Sequence, residues 1–333
     1  MIFQSIEEIF EAFNRLRVLI VGDVMVDAYL WGKVERISPE APVPIVNVQR
    51  REQRLGGAGN VALNVQAMGA IPILCSVIGT GVDGESFLSL LKENQLSAEG
   101  IIQSEDRMTT VKNRVLAGSQ HILRIDSETD ALLNEEERKA LLKRVKEVAS
   151  TCDVIIFQDY DKGVLSKELI WEIIRFAEKH HIPTVVDPKK RNFLSYQNAT
   201  LFKPNLKELR EGLKIECNPD NHAELQHVTG LLKARLQIKS ALITLSERGV
   251  YIDSEHEQHL LPAHIRQISD VSGAGDTVIS IAALCLALQL TPRMLAGLSN
   301  LGGGLVCESV GVVPVNKERL KAEALKLISG LVD

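Results

Sequence analysis

The alternation of short apolar runs with amphipathic stretches is the feature that most restricts the fold of this chain. The apolar runs are RVLIVGD (17–23), PILCSVIG (72–79), DVIIFQD (153–159), IPTVVDP (182–188), ATLFKPN (199–205) and SALITLS (240–246). The helical segments between them include 134–148, 167–180 and 223–235. Continuous apolar strands are typical of a parallel sheet that helices cover on both faces. The pattern therefore predicts an α/β fold with a doubly wound, mostly parallel sheet.

Two segments interrupt this alternation. Residues 28–55 contain SPEAPVPIVNVQ, whose three prolines exclude a helix and are followed by strand-like alternation. Residues 109–126 favour two strands joined by a turn at Ala117-Gly118-Ser119. We expect both segments to form a small β insertion, which beside the carboxyl edge of the parallel sheet is in a position to act as a lid.

The length of 333 residues allows one large α/β domain or two ordinary ones. No low-complexity tract, internal repeat or Pro/Gly/Ser-rich linker divides the sequence. The glycine motifs near residues 56–60 and 273–276, described below, must also meet in one cleft. We therefore expect a single domain over residues 1–333 that carries the lid.

Composition excludes several classes of function. The chain has 38 Lys and Arg against 43 Asp and Glu, a balance that argues against a dedicated nucleic-acid binder. Its longest apolar tract, 278–288, is shorter than the roughly 18 residues of a membrane span, and its N-terminus lacks a secretory signal pattern. Five scattered cysteines without a C-x-x-C pair fit a reducing compartment. We expect a soluble, cytoplasmic protein that binds small molecules, and neither nucleic acid nor membrane.

The strongest chemical signal is DVSGAGDTV at 270–278, which precedes an apolar helix. Gly273, Ala274 and Gly275 leave the backbone N–H groups of the helix N-terminus bare, where the helix dipole favours anions. No Lys-Ser/Thr pair follows, as it would in a Walker loop, but Asp276 does. Such a carboxylate can accept the proton of an attacking hydroxyl while the amides stabilise a transferred phosphoryl group. The motif alone also allows a plainer reading, in which Asp276 caps its helix and the glycines form a tight turn.

A second glycine cluster, Leu55-Gly-Gly-Ala-Gly-Asn60, is a weaker signal. Glycines that open a helix let a ligand approach the backbone closely, and the Asn60 amide offers a donor and an acceptor to a polyol. The first strand is not followed by the G-x-G-x-x-G spacing of a dinucleotide-binding fold. By itself the cluster leaves the ligand undefined.

These motifs together carry a family resemblance. Gly56-Gly57-Ala58-x-Asn60-x-Ala62, with Gly69 and Gly79, resembles the N-terminal signature of the ribokinase-like (PfkB) sugar kinases, and 270–283 resembles their C-terminal signature. The resemblance covers nearly the whole chain and implies a ribokinase-like fold. Ile281 stands where the general pattern prefers Ala or Gly.

Within that family, 36–44, 159–163 and 270–278 resemble the D-glycero-D-manno-heptose 7-phosphate kinases. Those enzymes use ATP to phosphorylate the anomeric O1, which gives heptose 1,7-bisphosphate on the route to ADP-heptose for lipopolysaccharide. In many of them an adenylyl-transferring domain follows the kinase. This sequence shows no H-x-G-H-type nucleotidyl motif and resembles the kinase half alone.

The resemblance implies a set of substrate-binding residues near the sugar. They are Asp27, Gly56, Gly57, Asn60, Lys112, Arg114, Asp159 and Lys162. We expect Asp27 to end the first strand and hold sugar hydroxyls. Lys112 and Arg114, two apart on a lid strand, would supply cations for a 7-phosphate, although a solvated charged face is the alternative.

A second set is implied for the nucleotide. It consists of Asn205, Lys207, Glu208, Ser246, Gly249, Gly273, Gly275, Asn300 and Gly303. Asn205 and Glu208 match the family's N-x-x-E motif, which organises Mg²⁺ and the ATP phosphates, often through water; a helix capping box is the alternative, and both can hold together. Ser246 replaces the usual glycine of a T-x-G-x-x-G loop. ATP and Mg²⁺ are thus the expected cofactors, and a monovalent-cation requirement stays open.

The expected function is phosphorylation of heptose 7-phosphate at O1, with Asp276 as the base and the 273–276 amides as the anion hole. Two alternatives remain: the same chemistry on another sugar or sugar phosphate, such as ribose, fructose or a hexose phosphate, and a catalytically silent nucleotide-binding protein. The intact Gly273-Ala-Gly-Asp276 run argues against a silent protein, since a binder has no need of a base. We also expect a homodimer, because pairing the lids would protect their strand edges.

Overall fold

The computed structural model of the protein describes residue 3 and residues 5–118, 120–264 and 266–329. Ser119 of the predicted lid turn and the two ends of the predicted domain lie outside the described residues. The strands are β1 (Arg17–Gly22), β2 (Val24–Ile37), β3 (Pro44–Gly57), β4 (Ile71–Gly79), β5 (Ile101–Ser104), β6 (Thr110–Ala117), β7 (Gln120–Ser127), β8 (Val154–Gln158), β9 (Thr184–Asp187), β10 (Leu201–Phe202), β11 (Ser240–Thr244), β12 (Val250–Asp253) and β13 (Gln258–Leu261).

The helices follow the predicted rhythm, and most begin at a side chain that caps a backbone N–H. They are α1 (Ile6–Ala12), α2 (Ala58–Ala67), α3 (Val82–Glu93), α4 (Glu135–Ala149), α5 (Lys167–Lys179), α6 (Leu206–Leu213), α7 (His222–Leu236), α8 (Ala274–Ala287), α9 (Pro292–Val306) and α10 (Lys317–Ser329). Ser5, Asn134, Ser166, Asn205, Asn221 and Thr291 provide such caps. Polar residues of this kind satisfy the amides that the first helical turn leaves unpaired. Helices α2 and α8 begin instead at Gly57 and Gly273, where no side chain caps the first turn. The Ala58 amide donates to the Asp23 carbonyl over 2.9 Å, and the Ala274 amide donates to the Val271 carbonyl over 3.3 Å.

The main sheet has nine strands among the described residues, in the order β13-β12-β11-β10-β9-β8-β1-β4-β5. Neighbours from β5 to β11 pair in parallel, whereas β12 and β13 add antiparallel strands at one edge. This confirms the predicted mostly parallel sheet. The run at 199–205 contributes only the two residues of β10.

Strand β1 shows how the sheet separates two cores. Val18 and Ile20 pack into the cluster with α1, α2, α3, α8, α9 and α10, while Leu19 and Val21 pack into the cluster with α4, α5, α6 and α7. Successive side chains of a strand point to opposite faces, so an apolar run is required where both faces are covered. The prediction of helices on both faces is confirmed.

The two β segments that interrupt the alternation form a second sheet, in the order β3-β2-β6-β7. Strands β2 and β3 make a long antiparallel hairpin, β6 joins β2 in parallel, and β7 returns antiparallel to β6. One detail of the sequence prediction is wrong. The first strand ends at Gly22, and Asp27 lies inside β2, so it belongs to the smaller sheet.

Within the described ranges, no helix has both the length and the apolar character needed to cross a bilayer.

Candidate functional site

Helix α8 begins at the carboxyl edge of the main sheet with an exposed turn of backbone. Gly273, at its N-cap, has φ of 81°, a left-handed conformation that favours glycine. A Cβ atom here would lie 3.0 Å from Asn60 Nδ2, so the position is also crowded on the side of α2. The amides of the first helical turn have no intrahelical acceptors and carry the positive end of the helix dipole. This end of α8 can therefore receive an anion, as the sequence predicts.

Asp276 lies in that first turn and is 4% exposed. Donors from three separate elements hold its carboxylate. Asn60 of α2 donates from Nδ2 to Oδ2 over 2.7 Å, while Gln158 at the end of β8 and Tyr160 just beyond it donate to Oδ1 over 2.9 and 2.7 Å. A carboxylate held this way is oriented by tertiary contacts and is not merely a helix cap.

Burial sets the proton affinity of this carboxylate. It raises the pKa of Asp276 to about 6, while the hydrogen bonds from Asn60 and Tyr160 lower it; the nearby Asp187 raises it and Lys203 lowers it. At neutral pH the group is mainly ionised, yet it binds a proton far better than an exposed aspartate. Such a group is suited to general-base chemistry.

A buried ion pair lies beside the phosphate cradle, which consists of Gly273, Ala274 and Gly275 at the start of α8. Lys203 Nζ lies 3.1 Å from Asp187 Oδ1, and both side chains are nearly inaccessible. A Cβ atom on Gly275 would lie 3.7 Å from Lys203 Nζ, in ordinary contact, so the cation stands beside the N-terminus of α8. A lysine there adds a full positive charge to the partial charges of the amides, which strengthens the site for a phosphate group.

The predicted N-x-x-E pair forms a helix capping box. Asn205 Oδ1 accepts from the Glu208 amide over 2.8 Å, and Glu208 Oε2 accepts from the Asn205 amide over 2.9 Å. The other carboxylate oxygen of Glu208 accepts from Lys189, whose ammonium group lies 5.5 Å from the centre of the Tyr160 ring. The capping box and a role in organising Mg²⁺ thus stay compatible, because Glu208 is also one of the charged groups around Asp276. Each of its oxygens already accepts one hydrogen bond, and Mg²⁺ held through water would leave the capping box and the Lys189 contact in place.

Two other N-x-x-E runs lie elsewhere in the chain, at 134–137 and 221–224. Asn134 and Glu137 form the same reciprocal capping box at the start of α4. Asn221 caps α7 without the reciprocal bond from Glu224, so the spacing favours an asparagine N-cap in all three places. Only the tertiary position of Asn205 and Glu208 brings one of the three pairs near Asp276.

The predicted loop over the nucleotide has a left-handed backbone at both of its predicted nucleotide-binding residues. Ser246, in the place of a usual glycine, has φ of 56°, and Gly249 has φ of 94°. Both values lie in the left-handed region, which explains why glycine is common at the first position. Thr244, which ends β11, bridges to Asn205, so this loop and the N-terminus of α6 are neighbours.

Three other residues predicted for the nucleotide have different surroundings. Asn300 donates to the Pro262 carbonyl over 2.8 Å. Gly303 allows α9 to pack tightly on α8, since a Cβ atom would come within 2.6 Å of a Val278 methyl group. Lys207 is 83% exposed and lies 3.8 Å from Glu211. Close helix packing thus accounts for Gly303 where the sequence predicted a nucleotide contact.

On the side of the smaller sheet, Asp27 is buried and forms an ion pair with Arg114 on β6. Gly56 on β3 has no room for a side chain, because a Cβ atom would collide with the Asp27 carboxylate. Gly57 has φ of 58° and starts α2. Arg114 thus pairs with Asp27, whereas the partners of Lys112 are different carboxylates.

Lys112 and Lys162 lie on either side of one carboxylate, that of Glu128. Its Nζ atom lies 2.9 Å from Glu128 Oε2 and 3.3 Å from Asp126 Oδ2, and Lys162 Nζ lies 2.8 Å from the other oxygen of Glu128. Since Lys112 belongs to β6 and Lys162 to the loop after β8, one carboxylate connects the two sheets. Lys112 thus shares a carboxylate with Lys162, whereas Arg114 binds a different carboxylate, that of Asp27.

Asp159 faces the protein interior. Its Oδ2 accepts from Tyr196 Oη over 2.7 Å and from Asn192 Nδ2 over 3.0 Å, and Oδ1 accepts from the Asp161 amide over 2.8 Å. Burial raises the pKa of Asp159 to about 6. Interior donors occupy this carboxylate, contrary to the expected sugar contact.

Sequence reasoning found Asn60 but missed the other residues around Asp276. They are Gln158, Tyr160, Asp187, Lys189 and Lys203. It also missed Asp23, which accepts from the Tyr160 amide. Asp23, Gln158 and Asp187 could have been found, because Asp23 follows β1 while Gln158 and Asp187 end β8 and β9. Ligands of open α/β sheets bind at the carboxyl ends of such strands.

Comparisons with known proteins agree with this geometry. The sequence profile of the pfkB family carbohydrate kinases matches residues 15–319. The chain is 38% identical over 304 residues to the bifunctional protein HldE of Helicobacter pylori strain G27, which corresponds to 91% of this chain and 65% of that protein. It is 38% identical over 317 residues to HldE of Syntrophotalea carbinolica, 95% of this chain and 64% of that protein. The chain thus spans about two thirds of the length of these curated relatives.

Solved structures with low sequence identity share the fold. Phosphofructokinase-2 from Escherichia coli in complex with potassium has a TM-score of 0.77 at 19% identity, covering 93% of this chain and 99% of that chain. Ribokinase from Arabidopsis thaliana complexed with ribose and ATP has a TM-score of 0.72 at 13% identity, covering 94% and 99%. Because the family profile extends over almost the whole sequence, the chain belongs to the pfkB family of carbohydrate kinases, and it is an ATP-dependent sugar kinase of the ribokinase-like fold.

Proposed function

We propose that this chain transfers the γ-phosphoryl group of ATP to the anomeric O1 of D-glycero-D-manno-heptose 7-phosphate. The similarity of 36–44, 159–163 and 270–278 to kinases of that sugar supports the proposal. So does the match to bifunctional relatives of which this chain spans about two thirds. The product would be the 1,7-bisphosphate, formed on the route to ADP-heptose.

The observation that carries the substrate class is the sharing of Glu128 by Lys112 and Lys162. Lys112 also contacts Asp126, which in turn pairs with Arg124, so three cations meet two carboxylates here. The surplus positive charge makes a site for a compact anion, and a phosphate group on the sugar is such an anion. Lys112 lies in register with Asp27, the predicted sugar-binding carboxylate, across the β2–β6 pair. A sugar held near Asp27 would then extend its terminal phosphate towards the two lysines.

In this proposal, Asp276 is the general base. Its ionised carboxylate accepts the proton of the O1 hydroxyl as that oxygen attacks the γ-phosphorus, and the bond from phosphorus to the bridging oxygen of ADP breaks. The amides of Gly273, Ala274 and Gly275, with Lys203 beside them, stabilise the charge on the transferred group.

Mg²⁺, when bound with ATP, supplies charge neutralisation at the β- and γ-phosphates. Asn205 and Glu208 would hold it through water, which leaves the capping box and the Lys189 contact in place. The turn from Ser246 to Gly249 would cover the nucleotide from the neighbouring loop. The potassium complex of phosphofructokinase-2 makes stimulation by a monovalent cation worth testing here as well.

We propose that the smaller sheet is a lid that excludes water from the cleft and that two copies of the chain pair through it. Several of its apolar side chains are exposed, among them Ile37, Val43, Leu123 and Ile125. A second copy would cover these side chains and the outer edges of β3 and β7. Sedimentation of Leu123→Lys should then show monomers, with Val82→Lys on α3, outside the lid, as the control that stays dimeric.

Turnover of the two anomers of heptose 7-phosphate tests the substrate. ADP release should be rapid with one anomer and slow with ribose, fructose and fructose 6-phosphate. Higher kcat/KM on a sugar without a distal phosphate would overturn the proposed substrate class. A preference for a hexose phosphate would favour the second candidate, a kinase for that sugar, because the lysine pair suits either phosphate.

A further inference from the structure

Tyr160 contacts the proposed base directly, although neither the family signatures nor the sequence analysis gave it a role. It is the first residue after Asp159 in the loop beyond β8, and its hydroxyl donates to Asp276 Oδ1 over 2.7 Å. Gln158 Nε2 donates to the same oxygen over 2.9 Å. The other oxygen, Oδ2, accepts from Asn60 Nδ2.

The loop that carries Tyr160 is fixed by a buried carboxylate. Asp23, 1% exposed at the end of β1, accepts from the amides of Tyr160, Lys162 and Val164 over 2.8, 3.1 and 3.0 Å. Three bonds to one carboxylate leave this loop little freedom. The position of the Tyr160 hydroxyl is therefore set by the main sheet and does not depend on a mobile segment.

Counting acceptor sites separates the two oxygens of Asp276. Each carboxylate oxygen can accept about two hydrogen bonds. Oδ1 has two donors, Gln158 and Tyr160, and is saturated, whereas Oδ2 has one and keeps a free lone pair. The free lone pair on Oδ2 is where a substrate hydroxyl can donate its proton.

We propose that Tyr160 is a positioning residue for Asp276: its hydroxyl holds Oδ1 so that Oδ2 is presented to the sugar hydroxyl that is phosphorylated. The inference rests on the proposed role of Asp276 as the base. It adds which oxygen accepts the proton and which side chain selects that oxygen.

The charged groups that face Asp276 fix the sign of the expected pH effect. Asp187, Lys203 and Lys189 surround it, and the Tyr160 hydroxyl stabilises its ionised form. Removing that donor removes a contact which lowers the pKa of Asp276, so the pKa rises. Because the base must be ionised to act, the acidic limb of the kcat profile moves to higher pH.

The test compares Tyr160→Phe with Tyr196→Phe. Both replace a tyrosine that donates to a carboxylate over 2.7 Å, but Tyr196 donates to Asp159 and not to the base. For Y160F we expect kcat to fall about 10-fold or more, since general-base catalysis contributes about 10²–10⁴-fold and a misoriented carboxylate loses part of it. KM for the sugar and for ATP should change less than about 3-fold, because the binding groups remain. Y196F should keep the wild-type kcat and acidic limb.

A wild-type kcat and unshifted acidic limb in Y160F would overturn the inference, as would an equal loss in Y196F. A rise in KM without a fall in kcat would also overturn it, because Tyr160 would then bind substrate directly. Thermal unfolding of both variants shows whether either has lost its fold. Failure of the proposed function is distinguishable, because Asp276→Asn would then retain turnover whatever Y160F does.

Discussion

Asn60 on α2 donates a 2.7 Å hydrogen bond to the carboxylate of Asp276 on α8, across 216 residues of sequence. The bond joins the two glycine motifs at the carboxyl edge of the main sheet. Asn64, one turn further along α2, extends the contact, since its Oδ1 accepts from Thr277 Oγ1 over 2.9 Å and from the Val315 amide over 3.0 Å. The orientation of Asp276 is thus coupled to the packing of α2 against α8.

Replacement of the base should reduce turnover strongly and spare binding. Asp276→Asn keeps the size of the side chain but cannot take up the substrate proton at neutral pH. We expect kcat to fall by about 10²–10⁴-fold, with ATP affinity within a few-fold of wild type. An ADP-release assay measures the first quantity and titration calorimetry the second. Substantial residual turnover would contradict the assignment of Asp276.

The rate should depend on the protonation of Asp276. Burial raises its pKa to about 6, so the fraction in the active, ionised form falls as the pH drops through that value. The plot of log kcat/KM against pH should accordingly bend downward near pH 6 and approach unit slope below it. A flat profile from pH 7 to pH 5 would show that a different group controls the rate.

Loss of either lysine at Glu128 should weaken sugar-phosphate binding. For Lys112→Ala and Lys162→Ala we expect KM for heptose 7-phosphate to rise about 10–100-fold, because each removes a charge-assisted bond of about 1.5–3 kcal/mol. KM for ATP should not change. Lys143→Ala is the matched control, since this lysine is 80% exposed on α4. Equal effects on phosphorylated and unphosphorylated sugars would argue against a phosphate site here.

The two capping boxes allow a controlled test of the magnesium site. Glu208→Gln removes a charge, and Gln can keep the capping box at this position. We expect the Mg²⁺ concentration for half-maximal activity to rise about 10-fold, in the range seen for outer-shell partners of metals. Glu137→Gln makes the same change in the box of α4 and should leave the Mg²⁺ requirement unchanged. Removal of Mg²⁺ by a chelator should stop turnover of both proteins.

A methyl group at the phosphate cradle should cost both stability and activity. Gly273→Ala forces alanine into φ of 81° and sets its Cβ 3.0 Å from Asn60 Nδ2. We expect a loss of about 1–2 kcal/mol in the free energy of unfolding, with a lower kcat. Gly230→Ala in the interior of α7, where a Cβ meets nothing within 4 Å, should instead stabilise the protein by about 0.5–1 kcal/mol. Urea unfolding of the two variants measures both values.

Most of the architecture follows from local pattern. The apolar runs predict the parallel strands, and the change to prolines and alternation predicts the β segments 28–55 and 109–126, which form the second sheet. The error at Asp27 arose because β1 and β2 are separated only by Asp23, so hydropathy could not show where one sheet ends and the next begins.

The sequence by itself determined the strand order along the chain, the glycine-opened helices α2 and α8, and the position of Asp276 in the first turn. These depend on periodicity and on neighbours within about one helical turn. Only the tertiary structure decided that Lys112 and Lys162 share Glu128 and that Asp159 turns inward. It also decided that Asn205 and Glu208 lie near the base while Asn134 and Glu137 do not. Spacing cannot resolve such choices, because contacts between distant residues depend on how the buried faces of helices and strands pack.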